Sequence, residues 1–171
     1  MVRKTVTELY DKDQFLFKRN KGKGVCERSI VFRFAHYLQL KIPNYFVDCD
    51  FNSSFEGHIN LEGQIVGRER HGKLIENPDG TATKRFVDII VHKRDYGTQN
   101  DFICFEIKKW NNLNLKEIRK DRNNLCEMTS KYEYIYGFHI TFHRERQKTK
   151  WTIFISGEVV EQESMVFENE T

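Results

Sequence analysis

The densest apolar stretch of the chain lies near its middle, FVDIIVHKRDYGTQNDFICFEIKKW, from Phe86 to Trp110. Two runs, Phe86–Val91 and Phe102–Ile107, are almost continuously apolar, and a polar segment separates them. Such runs suit strands covered on both faces, so the stretch predicts a central hairpin. Upstream, Ile30, Val31, Phe34, Tyr37 and Leu38 recur at three- and four-residue steps, which predicts a helix over 25–40 with one buried stripe. Pro43 ends it. Residues 45–51 alternate as a strand, with Asp48 and Asp50 on one, solvated, face. The polar stretch 52–84 predicts a strand through His58–Val66. An exposed excursion with Arg68, Arg70 and His71 follows, then an Asn-Pro-Asp-Gly turn at 77–80. Leu115–Thr129 reads as a second amphipathic helix, with Leu115, Ile118, Leu125, Cys126 and Thr129 inside. Lys116, Arg119, Lys120 and Arg122 are expected outside. Strands at 132–142 and 150–156 complete the pattern, joined by a basic tip, HRERQKTK.

A helix running between two strands of one sheet implies a crossover connection and some parallel pairing. The expected architecture is a single α/β domain over 25–156, a mixed β-sheet flanked by helices. A basic N-terminal arm, 1–24, precedes it and an acidic C-terminal tail, 157–171, follows.

Composition changes this picture little. The chain has 171 residues, enough to bury a sizeable core, and only two prolines, which argues against a linker-rich protein. The net charge of +3 does not by itself point to nucleic acid, but the charge is unevenly spread. Residues 1–24 carry seven Lys and Arg against three acids, whereas 157–171 carry five Glu and no base. The four cysteines, Cys26, Cys49, Cys104 and Cys126, form no CxxC pair, so neither a zinc site nor a disulfide framework is expected. No segment has the length and apolarity of a signal peptide or membrane span, which leads to the expectation of a cytoplasmic protein.

The candidate chemistry sits inside the central hairpin. Asp88 interrupts the first apolar run and Glu106 the second, and Lys108 follows two residues later. Side chains alternate along a strand, so Glu106 and Lys108 share a face, roughly 7 Å apart. A Glu-x-Lys triplet alone is an ordinary surface ion pair. With Asp88 in the paired strand, it becomes two carboxylates and an ammonium in apolar surroundings, where charges must be paired, protonated or bound to a cation. Mg²⁺ answers that need with oxygen ligands and retained waters. Glu27 falls on the apolar stripe of the first helix. There it either favours the helix N-terminus through the dipole or reaches the sheet as a third acidic group. His139 and His143 share a strand face and are expected as strand-end polar residues, and His92 is expected at the surface.

A helix with glutamate, a strand with aspartate, a strand with Glu-x-Lys, then a helix and a further strand, over roughly 25–142, resembles the PD-(D/E)XK superfamily of restriction-endonuclease-like nucleases. The motif here is Val87-Asp88 with Glu106-Ile107-Lys108, Val87 standing where the family has proline. The resemblance implies a nuclease that hydrolyses DNA phosphodiester bonds with metal-activated water. Asp88, Glu106 and the Ile107 backbone carbonyl would hold Mg²⁺, or Mn²⁺ as its substitute. Lys108 would orient the attacking water, and Glu27 would support a second metal or a metal-bound water. Lys18, Arg19, Lys21, Lys23, Lys116, Arg119 and Arg122, with the 144–150 tip, are candidate contacts to the DNA backbone. A homodimer suits an enzyme that cuts both strands, though no interface is marked in the sequence. The alternative is a catalytically silent protein of the same fold that binds nucleic acid or a protein partner.

Overall fold

A computed structural model describes residues 1–18, 25–50, 54–59, 65–71, 74–76, 82–84, 86–93, 101–111 and 114–164. Its centre is a six-stranded sheet in the order β1-β6-β7-β8-β9-β10. These strands are β1 (Phe46–Cys49), β6 (Ile89–His92), β7 (Asp101–Lys109), β8 (Tyr136–Phe142), β9 (Lys150–Ile155) and β10 (Glu158–Ser164). Among the described residues of this sheet only β7 and β8 pair in parallel. The crossover between them is α3 (Leu115–Ser130), capped by the Asn114 side chain, which accepts from the Lys116 N–H at 3.0 Å. The fold is thus a mixed α/β domain with three α-helices among the described residues.

Alternation along β7 sorts its residues between two layers. Ile103, Phe105 and Ile107 pack beneath α1 (Val2–Lys12) and α2 (Glu27–Gln39), joining Val6, Leu9, Ile30, Phe34 and Leu38 in the larger core. Cys104 faces α3 and joins Val87, Ile90, Leu125, Met128, Tyr134 and Phe154 in a smaller core. Gly137 on β8 lets α3 approach closely. A Cβ there would lie 3.1 Å from Thr129 Cγ2 and 3.4 Å from Leu125 Cβ. β9 and β10 are joined by Ser156 and Gly157, both with positive φ (50° and 82°), the pattern of a tight two-residue hairpin turn.

Several expectations need correction. Part of the N-terminal arm is an integral layer, because Val2, Val6, Leu9, Tyr10, Leu16 and Phe17 are buried in the main core. Residues 158–164 of the expected tail form the edge strand β10. The strand predicted through His58–Val66 is instead a hairpin of β2 (Ser54–Ile59) and β3 (Ile65–His71), and β3 holds Arg68, Arg70 and His71. The Asn-Pro-Asp-Gly turn at 77–80 lies outside the described residues, between β4 (Leu74–Glu76) and its antiparallel partner β5 (Ala82–Lys84). Asp48 is not on a solvated face. Its Oδ2 lies 2.8 Å from Nε2 of His92, which is itself buried rather than at the surface. On α3, Leu115 is 70% exposed, whereas Asp121 and Asn124 are buried. No helix among the described residues is long and apolar enough to cross a membrane.

Candidate functional site

The site forms where β7 outruns its antiparallel neighbour. β6 begins at Ile89, opposite Phe105, so Asp88 stands just before the strand and across from Glu106. In an antiparallel pair one residue turns both its N–H and its C=O to the same edge. Beyond Phe105, that edge of β7 has no strand partner among the described residues. Two carboxylates take its place. Asp88 Oδ2 accepts the Ile107 N–H at 2.6 Å, and Glu27 Oε2 accepts the Lys109 N–H at 2.8 Å. Strand geometry therefore turns the Ile107 carbonyl to this same edge, between Asp88 and Glu27. Glu27 reaches it from the first turn of α2, where it touches the sheet through the Lys109 N–H, but it does not form a three-acid group with Asp88 and Glu106 among the described residues.

Glu106 and Lys108 point to the other layer, under α3. Glu106 is 4% exposed, and its Oε1 accepts from Asn124 Nδ2 at 3.0 Å. Lys108 Nζ lies 3.0 Å from Asp121 Oδ2 and 3.7 Å from Glu27 Oε1. Among the described residues, Asp88 Oδ1 and Glu106 Oε2 have no hydrogen-bond partner. Burial pushes the Asp88 carboxyl up to about 6, against the opposing Ile107 N–H and the Lys108 charge. Burial also drives Glu106 well above its ordinary range, with the charges of Asp88 and Asp121 adding to it. For Lys108 burial acts downward. The ion pair with Asp121, then the charges of Glu27 and Asp88, outweigh it and hold the ammonium above its usual range. The environment thus favours a cation beside Asp88 and Glu106, and Lys108 supplies only part of one.

The donors that could hold a hard divalent cation here are the carboxylates of Asp88 and Glu106. Mg²⁺ commonly binds through one or two carboxylates and keeps several waters. No group of three or more His, Cys, Asp or Glu side chains that could hold a metal ion occurs among the described residues. Both oxygens of Glu27 are already engaged, by the Lys109 N–H and by the Lys108 ammonium.

Two polar residues near the site, Asp121 and Asn124, escaped the sequence reading, and a third, His139, was misplaced by it. Asp121 and Asn124 belong to a stripe Asp121, Asn124, Leu125, Met128 and Thr129 at helical spacing, visible only if Asp and Asn are allowed to face inward. His139 is mid-strand rather than strand-end. It is 3% exposed, pairs with Glu106 in register, and its Nε2 has no partner among the described residues. Burial, with the Arg122 and Lys108 charges, lowers its pKa to about 4.

Of the expected backbone contacts, Lys18, Lys116 and Arg119 are exposed. Arg19, Lys21 and Lys23 lie outside the described residues. Arg122 does not face outward, because its Nη2 donates to Thr152 Oγ1 at 3.3 Å. Comparisons with protein-family models, with curated proteins and with solved structures gave no match to the chain.

Proposed function

We propose that the protein is a Mg²⁺-dependent nuclease of the restriction-endonuclease-like type, acting on DNA phosphodiester bonds. The observation that carries this reading is the buried pair Asp88 and Glu106. They stand opposite each other at the end of a hairpin, each with one oxygen uncommitted, and Lys108 follows on the strand that bears Glu106. The element order agrees with the resemblance: α2 with Glu27, the β6–β7 hairpin, α3, then β8 parallel to β7.

In this reading Asp88, Glu106 and the Ile107 carbonyl hold Mg²⁺, which when bound supplies Lewis-acid activation of water and of a phosphate oxygen. Lys108 donates hydrogen bonds to the attacking water and offsets charge developing on the phosphate. Asp88 keeps the end of β7 in place through the Ile107 N–H. Glu27 and Asp121 steer the Lys108 ammonium.

The surroundings suit a polyanion. The start of α2, the start of α3, and the carboxyl ends of β7 and β8 all lie at the same end of the sheet. Exposed there are Lys18, Arg28, Lys116, Arg119, Lys120, Arg144, Lys148 and Lys150. Contacts of this kind hold the phosphate backbone regardless of sequence.

The test is cleavage of supercoiled plasmid and linear duplex with and without Mg²⁺, beside Glu106→Ala and Lys108→Ala. Each substitution is expected to slow cleavage by roughly 100-fold or more. Cleavage unchanged in both would refute the site. The alternative, a catalytically silent binder of nucleic acid or protein, draws on the engagement of Lys108 by Asp121. Tight Mg²⁺-independent DNA binding without cleavage would favour it.

A further inference from the structure

We propose that α3 is the positioning element of this site, with Asn124 setting the carboxylate of Glu106 and Asp121 setting the ammonium of Lys108. The assignment rests on the nuclease reading above and adds two residues outside the motif that suggested it.

The two contacts match as a pair. Three residues along a helix advance about 4.5 Å, and two along a strand about 6.7 Å. Because α3 returns along β7 in the crossover, Asn124 meets Glu106 while Asp121, one turn earlier, meets Lys108. Both contacts are 3.0 Å long and all four residues are largely withdrawn from water. The helix that carries them is seated closely. Gly137 admits Leu125 and Thr129 against β8, and Arg122 reaches Thr152 on β9.

The chemistry of each partner differs in the sense a metal-dependent hydrolase requires. An amide beside Glu106 fixes one oxygen by hydrogen bonding and leaves the carboxylate's charge for a cation. A basic side chain there would neutralise it. A carboxylate beside Lys108 does the opposite work, holding an ammonium to one direction and keeping it off the Asp88–Glu106 pair. Buried polar pairs add little stability over apolar replacements of similar volume. Their presence next to Cys104, Leu125 and Met128 is therefore better accounted for by what they orient.

Two readouts separate the assigned roles. Mn²⁺ binding is followed by electron paramagnetic resonance in the absence of DNA. Single-turnover cleavage of a duplex is followed across Mg²⁺ concentrations. Asn124→Ala is expected to weaken Mn²⁺ binding about tenfold and to raise the Mg²⁺ needed for half-maximal rate by the same factor, with the maximal rate largely kept. Asp121→Asn, which keeps an acceptor but removes the charge, is expected to leave Mn²⁺ affinity unchanged. Its maximal rate should fall about tenfold. Should Asn124→Ala not fold, Asn124→Gln, whose amide sits on a longer arm, is expected to give the same Mn²⁺ loss. A folded Asn124 variant with wild-type Mn²⁺ affinity, or an Asp121→Asn protein with the wild-type maximal rate, would overturn the assignment while leaving the nuclease reading standing. A wild-type protein that neither binds Mn²⁺ nor cleaves would remove both.

Discussion

Asp88 has to hold a charge inside a sheet. Its pKa is pushed up to about 6 from an ordinary 3.8, chiefly by burial. Between those two values Asp88 binds more protons in the folded protein than in the unfolded one, so its contribution to stability falls as pH rises from about 4 to about 6. Glu106, also raised by burial, carries the fall to higher pH. The metal-free protein is expected to show that fall in urea denaturation. Asp88→Asn should remove the part of it between about pH 4 and 6 and, at pH 7.5 without metal, raise stability by roughly 3 kcal/mol. Mg²⁺ should stabilise the wild type at that pH and not the variant. An unchanged pH slope in Asp88→Asn would contradict the account. Asp88 and Glu106 were legible in the sequence because each interrupts an apolar run, and Lys108 because it follows Glu106 at the two-residue spacing of one strand face. Asp121 and Asn124 were not, because α3 is polar along most of its length and inward-facing polar residues look like its outer face. His92 and Asp48 were missed for a related reason: each looks like a surface residue until the other is placed beside it.

Among the elements, β7 and α3 carry most of the site. β7 extends past β6, and the backbone donors exposed by that overhang draw Asp88 and Glu27 into place. α3 depends on the absence of a side chain at Gly137. Gly137→Val would press into Thr129, Phe154 and Leu125 and is expected to destabilise the fold by about 1–3 kcal/mol, read from the urea midpoint. Because the same shift moves Asn124 and Asp121, cleavage should fall in the protein that remains folded. A Gly137→Val protein with unchanged midpoint would show that α3 is not seated there. On α3 the sequence reading put the exposed Leu115 inside, whereas α2 could be read from the 3.6-residue recurrence of its apolar residues and the central hairpin from its two nearly continuous apolar runs. β10 could not, because EVVEQES carries three glutamates and sits at the sheet edge, where a strand needs only one covered side. The β2–β3 hairpin was misread as one strand because polar residues hid the turn between them.

At the scale of the whole molecule, topology gathers the chemistry. A parallel pair at the sheet centre places the ends of β7 and β8 and the first turns of α2 and α3 together. At that end Asp88, Glu106 and Asp121 are withdrawn from water together with Lys108 and Lys109, and Lys116, Arg119 and Lys120 are exposed. The mixed α/β architecture followed from the order of sequence patterns. The functional end did not, because Glu27 and Lys109, whose hydrogen bond joins α2 to β7 there, are 82 positions apart in the chain. The central claim is that Asp88 and Glu106 together hold a divalent cation. Its most direct test is a crystal of the wild-type protein soaked in Mn²⁺, with anomalous scattering used to locate the ion. The account predicts a peak between the Asp88 and Glu106 carboxylates, beside the Ile107 carbonyl, that disappears in Glu106→Ala. Mn²⁺ bound only elsewhere, or a peak that survives in Glu106→Ala, would contradict it.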